Sequence, residues 1–274
     1  MIDEGCGGQS PRSVTQSRCR DKFKHFHDQY NSQFQQESLY RVNISTGATS
    51  LISSTVGNGQ GYINAMGYSE GDNYLYAAVG SEAPQKLIRI AANGATTDLE
   101  SLNQTVYLNA GDIDENFYYW SSSVGAQWIK VDLRPGSTTF GKEVASGTAK
   151  PQYQIFDWAY VPGAGDYLWG LGYDQTTNLA QGLTYLMRFD MTTHTWTTET
   201  NFGSIASSQS TPAAANTWGA IYASDGGFIY GSENTSGEIY RFPLPGSGTA
   251  AVKIANGPKS TQNDGARCHK ASGL

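Results

Sequence analysis

Charged side chains are scarce in this 274-residue chain, at 15% of the total against the usual quarter. Lysine and arginine nowhere cluster, and the formal charge is −6. Without a basic patch, a nucleic-acid partner is not expected. No apolar run approaches the roughly 20 residues of a membrane span, so no transmembrane segment is expected. The first residues also lack the apolar core of a leader peptide. Cysteine is limited to Cys6, Cys19 and Cys268, with no CxxC pair and no zinc-type spacing. A phosphate-binding glycine loop and a GxSxG nucleophile elbow are both missing. No cofactor is expected.

Glycine (32) and tyrosine (17) are abundant. Each glycine weakens a helix interior by roughly 1 kcal/mol, whereas short strands with tight turns accommodate both residue types. One strand type recurs five times: Leu39-Tyr-Arg-Val, Leu87-Ile-Arg-Ile, Trp128-Ile-Lys-Val, Leu186-Met-Arg-Phe and Ile239-Tyr-Arg-Phe. A cation holds the third place in each, namely Arg41, Arg89, Lys130, Arg188 and Arg241. These lie roughly 40 to 60 residues apart, close to the period of blade arrays. Four of the strands follow an aromatic one, beginning at Tyr74, Phe117, Tyr167 and Phe228, behind a Gly/Asp/Asn turn of hairpin type. Ahead of each turn lies a short strand of small residues, as in Ile63-Asn-Ala-Met-Gly-Tyr and Leu108-Asn-Ala-Gly-Asp-Ile.

One repeat is therefore one four-stranded propeller blade. The first copy opens at its third strand, and Asn263-Asp-Gly-Ala-Arg-Cys268 reads as an orphan inner strand at the other end of the chain. The expected fold is all-β, a five-bladed β-propeller closed by pairing the C-terminal strand with the first blade, beside Leu39-Tyr-Arg-Val. Blades are expected at about 38–57 plus 260–268, 58–102, 103–146, 147–203 and 204–259. Residues 1–37 are polar and without apolar period, so they read as a mostly disordered tail with room for a short helix near residues 21–30.

The inner-strand pattern, Leu-Tyr-Arg-Val with its Ser-Thr-Gly turn, and the terminal Asn-Asp-Gly-Ala-Arg-Cys resemble a fungal and bacterial extracellular β-propeller family of unknown function. The resemblance implies a secreted or surface-exposed module of adhesion type, with no catalytic residues to carry over. A glycan or a surface protein is the implied partner, and a monomer the expected state.

Aligning the inner strands places Asn64, Asn109, Asp157 and Asp264 at one level of the central tunnel, with Trp218 in the remaining slot. Converging amides and carboxylates form a polar concave site. The favoured alternative is that they bond each other, neighbouring backbone and trapped water, since buried polar groups need partners whether or not a ligand exists. Trp158 and Trp218 are expected to face a tunnel mouth, since an inner strand has little other room for indole. Hydrolysis of a glycoside needs two carboxyl groups roughly 5–9.5 Å apart. Asp112, Asp157 and Asp264 are the inner-strand candidates, with Glu143, Asp174 and Glu233 on loops. No inner-strand glutamate stands ready as the acid. Of the blade cations, packing along aromatic rings is the favoured role. His25-Phe-His27 is a weak chelating pair in the tail, and His194 lacks a partner nearby in sequence. Cys19 is the nearer candidate for a disulfide to Cys268. Asn43, Asn103 and Asn234 open Asn-x-Ser/Thr sequons. A binding module, a glycoside hydrolase or lyase, and a scaffold without a small ligand thus remain as function classes.

Overall fold

The computed structural model describes residues 23–29, 36–57, 60–173, 183–205, 217–224, 227–260 and 263–269. The chain is all-β, in a propeller arrangement of five four-stranded antiparallel sheets. Among the described residues no helix is long and apolar enough to cross a membrane.

The sheet nearest both ends of the chain combines β1 (Phe23–Gln29), β2 (Gln36–Val42) and β3 (Thr49–Val56) with a strand from the far end of the sequence. The second holds β4 (Ile63–Tyr68), β5 (Leu75–Val79), β6 (Lys86–Ile90) and β7 (Thr96–Ser101). The third holds β8 (Ala110–Ile113), β9 (Tyr118–Ser123), β10 (Gln127–Asp132) and β11 (Glu143–Thr148). The fourth holds β12 (Gln154–Tyr160), β13 (Tyr167–Tyr173), β14 (Leu183–Asp190) and β15 (Trp196–Ser204). The fifth holds β16 (Trp218–Ala223), β17 (Phe228–Glu233), β18 (Glu238–Pro243) and β19 (Val252–Asn256). The last strand, β20 (Asn263–Arg267), returns to the first sheet, whose order is β20-β1-β2-β3.

Two expectations are corrected here. The segment 23–29 lies in the stretch read as tail and helix, yet it is the strand β1. It pairs with β20 on one side (Phe26 with Asp264) and with β2 on the other (Phe26 with Leu39). Consequently Asn-Asp-Gly-Ala-Arg does not lie directly beside Leu-Tyr-Arg-Val, because β1 separates them. Its residues show no apolar alternation, so the strand comes from two ladders of backbone hydrogen bonds and not from patterning; strand preference is set largely by such context.

Inner strands β4, β8, β12, β16 and β20 touch in that order, and β20 touches β4. Their approach is close enough to demand glycine. A Cβ on Gly111 would stand 2.0 Å from the carbonyl oxygen of Ala65 on the neighbouring strand. Apolar clusters fill the gaps between sheets. Leu75, Ile88 and Ile90 meet Leu39 and Val56 in one; Tyr76 and Leu87 meet Tyr119 and Ile129 in the next. Trp120 and Trp128 meet Trp158 and Phe189 in a third, and Leu171 and Leu186 meet Trp218 and Phe242 in a fourth. The fifth joins Val42 and Ile44 to Tyr222 and Ile239.

The repeated cation has a common role. Arg89 lies over Tyr74 (4.4 Å), Lys130 over Tyr118 (4.0 Å), Arg188 over Tyr167 (4.3 Å) and Arg241 over Phe228 (4.7 Å). In four of the five sheets the third strand thus rests its cation on a ring at the start of the second strand, an attraction worth about 0.5–1 kcal/mol at partly exposed sites.

Candidate functional site: the mouth of the inner strands

Where the inner strands begin, a cavity of about 580 Å³ opens. Its walls include Tyr62, Asn64, Tyr107, Asn109, Phe156, Thr217, Gly219, Asn234 and Asn263. The level predicted from sequence is therefore off by one residue in three strands: Phe156, Gly219 and Asn263 stand beside Asn64 and Asn109, where Asp157, Trp218 and Asp264 were expected. Ladder shifts between Ile155 and Trp158 and between Trp218 and Ala220 account for the slip in β12 and β16; β20 keeps an unbroken register with β1, so its slip has no such cause. A bulge adds one residue to a strand, and one residue exchanges the two faces.

The displaced acids have a different task. Asp157 is fully buried. Its Oδ1 accepts the N–H groups of Trp158 (2.8 Å) and of Gly111 in β8 (3.3 Å), and Oδ2 accepts that of Ile221 in β16 (2.7 Å). Asp264 accepts from Gly265 (2.7 Å) and from Met66 in β4 (2.6 Å). Asp112 accepts from Tyr160 in β12 at 2.7 Å. Each acid ties its own inner strand to a neighbour's backbone, which satisfies N–H groups that the crowded axis hides from water. Burial and the nearby Asp264 push Asp157 well above the ordinary carboxylate range, against the N–H bonds that favour its charged form. Burial raises Asp264 as well.

None of the three carboxylates lines the mouth cavity. Of the acids expected on loops, Glu143 and Glu233 instead open β11 and end β17; Glu233 is buried and accepts the amide and hydroxyl of Ser236 (2.7 and 2.6 Å). Glu143 accepts the N–H of Asn103 at 3.2 Å, and Asp174 lies outside the described residues. The described acids of this set do not meet in the mouth cavity.

Trp158 and Trp218 are core residues and face no mouth. Trp158 packs on Phe189 and Trp196, with ring centroids 5.7 and 6.1 Å away. Trp218 meets Phe242 edge-on at 4.9 Å and donates to Thr184 Oγ1 at 3.2 Å. His194 stacks on Trp128 at 4.1 Å. Cys268 is disulfide-bonded; Cys6 and Cys19 lie outside the described residues, as do the side chains of His25 and His27.

Among the described residues the mouth is neutral: no described aspartate, glutamate, lysine, arginine or histidine lines it. Asn109 Nδ2 donates to the carbonyl of Phe156 (2.7 Å), and its Oδ1 accepts from Val124 (2.6 Å), which fixes that amide. Burial raises the Tyr107 phenol, against a hydrogen bond to Asn64. Asn263 differs from its neighbours. It is only 7% exposed, yet neither side-chain atom has a hydrogen-bond partner. A buried polar group left unpaired costs about 1–3 kcal/mol. Gly219 makes room for it: a Cβ there would stand 2.3 Å from Asn263 Oδ1. Sequence reasoning missed Tyr62, Tyr107, Phe156, Gly219 and Asn263. The shared Tyr-x-Asn-Ala of Tyr62–Ala65 and Tyr107–Ala110 was the available signal for the first two.

At the opposite end, the last residue of β20 and the segment after it reach other sheets. Arg267 Nη1 donates to the carbonyl of Ala223 (2.7 Å), and His269 Nε2 lies 3.2 Å from Asp112 Oδ2. Burial alone would lower the His269 pKa, but Asp112 and Glu70 outweigh it and the net direction is upward.

No curated protein matches the chain. Among solved structures, a streptogramin B lyase is similar at 11% identity and a TM-score of 0.45, over 86% of this chain and 70% of that one. TolB from Acinetobacter baumannii is similar at 11% identity and 0.47, over 90% of this chain and 58% of that one, so the chain spans little more than half of TolB. A protein from Lactobacillus plantarum gives 15% identity and 0.48, over 84% and 67%. A family profile described as a repeat of unknown function matches residues 26–270, from within β1 to just beyond β20, and the chain belongs to that family, DUF6923.

Proposed function

We propose that this protein is a non-catalytic binding module whose mouth cavity takes a neutral glycan at a cell surface or outside the cell. The observation that carries the reading is the cavity's chemistry: amides, hydroxyls and the rings of Tyr62, Tyr107 and Phe156, with the Asn263 amide buried and unpaired. Concave sites of this size, with a few convergent polar groups, suit small ligands. Neutral hydroxyls both donate to and accept from amides without demanding a counter-charge, and sugar faces stack on aromatic rings. The disulfide at Cys268 fits an oxidising compartment. The five sheets are read as the blades of one ring, closed by β20.

A glycan array probed with the labelled chain tests this. Neutral glycans are expected to bind, with Asn263→Ala and Tyr107→Ala each weakening the best hit at least fivefold while the fold is kept. Binding confined to charged glycans, or binding that both substitutions leave intact, refutes the mouth as the site. If no glycan and no cell-wall extract is bound, the scaffold reading takes its place.

A further inference from the structure

A second cavity, of about 230 Å³, lies away from the mouth between the 103–108 connection and strands β10 and β11. At about 30 Å³ per water it holds roughly eight waters, the bulk of one sugar ring and not of a chain of them. Gln104 is 8% exposed and Trp128 is 5% exposed, and both line it. Neither amide atom of Gln104 has a partner, nor has the indole nitrogen of Trp128. Gly147 opens the wall at that nitrogen, since a Cβ there would stand 3.1 Å from it. The pocket thus offers two unused donors and one unused neutral acceptor beside apolar Val106 and Leu108, with the Glu143 carboxylate at its rim.

This set complements an acetamido group on a sugar. The acetamido carbonyl accepts from Trp128 Nε1–H, its N–H donates to Gln104 Oε1, its methyl meets the apolar wall, and ring hydroxyls reach Glu143. The same wall carries the sequon Asn103-Gln104-Thr105. The three sequons are not equivalent. Asn234 is buried, with the Ser236 hydroxyl of its motif held by Glu233. The Asn43 side chain accepts from Thr46 N at 3.1 Å and closes its turn. Asn103 and Thr105 are exposed. An Asn-linked glycan begins with an N-acetylated amino sugar. We propose that this pocket seats an N-acetylated amino sugar, supplied by a glycan on Asn103 or by an external glycan.

The test has two arms, both read from the Trp128 indole and Gln104 amide signals in nitrogen–proton NMR spectra. In the first, chain made without glycosylation is titrated with N-acetylglucosamine and with glucose. The acetylated sugar is expected to shift both signals in the millimolar range and glucose is not. Gln104→Ala should weaken the response at least fivefold, whereas Asn263→Ala at the mouth leaves it unchanged. In the second, chain secreted from a host that adds Asn-linked glycans is mapped for occupancy at Asn103 and titrated again. Occupancy with both signals already displaced and no response to added sugar identifies the chain's own glycan as the source. A bare Asn103, or an attached glycan that leaves the signals in place, together with a retained response to free sugar, identifies an external one. If neither the free sugar nor the attached glycan moves these signals, the proposal is overturned. Because the mouth is read through Asn263→Ala, failure at one site is separable from failure at the other.

Discussion

The inner strands begin and end in different chemistry. At their start, amides and aromatic rings surround an open cavity, and Asn263 keeps both polar atoms unused. From one residue further in, Asp157 and Asp264 give both oxygens and Asp112 gives its Oδ2 to backbone N–H groups, and at the far end Arg267 and His269 cross to other sheets. Polar residues of similar type thus serve two purposes a few positions apart. What separates them is whether the hydrogen-bonding capacity is used. Asp157 and Asp264, with both oxygens used, hold strands together, whereas the Asn263 amide beside the cavity is left to meet a ligand.

The difference is sharpest in substitutions on the two sides. Asp157→Ala strands N–H groups in three inner strands and is expected to cost about 3 kcal/mol or more, read as a lowered denaturant midpoint. Gly111→Ala, which drives a methyl into the Ala65 carbonyl, should destabilise by a similar amount. Asn263→Ala removes an amide that bonds nothing, so stability should stay within about 1 kcal/mol while glycan binding falls. A large loss of stability at Asn263 would erase the distinction between the two ends.

Acidity sharpens it further. Asp157 and Asp264 have raised pKa values in the folded chain, so the native state keeps protons that the unfolded chain releases above about pH 4. Native protons in excess mean that stability falls as pH rises from there through the folded pKa values. His269, raised by Asp112 and Glu70 against burial and Arg267, acts in the same direction but higher. Its contribution is complete below about pH 6.5 and is lost as pH climbs through its folded value. Denaturant midpoints measured from pH 4 to 9 should therefore decline, and His269→Gln should flatten only the upper part. A flat profile for the parent chain contradicts the raised pKa values of these buried groups. The smallest effect is expected on the blade flanks, where Lys130→Gln gives up its place over Tyr118 for about 0.5–1 kcal/mol.

Much of the fold was legible because strand composition repeats. A cation on an aromatic ring recurs in four sheets, so Arg89, Lys130, Arg188 and Arg241 mark equivalent strands however the turns vary in length. The mouth was less legible. Alternation locates a face only while a ladder keeps its register, and shifts next to Asp157 and Trp218 moved the reading by one residue in β12 and β16. That slip placed Asp157 and Trp218 in the tunnel mouth and left out Phe156 and Gly219; in β20, whose ladder is regular, the orphan strand was aligned one residue off. β1 escaped notice for another reason. Its strand character is supplied by β2 and β20 on either side, and a sequence window around 23–29 contains neither. The side pocket was invisible too, since Gln104 and Trp128 meet only when β10 folds against the connection that follows β7.

The most direct measurement follows the side-chain amide NMR signals of Asn64, Asn109 and Asn263 as the best neutral glycan is added. The account predicts saturable shifts in these signals, largest for Asn263, with the backbone amides of Met66 and Ile221 that Asp264 and Asp157 hold left in place. Shifts confined to the outer strands, with the three mouth amides unmoved, would contradict it.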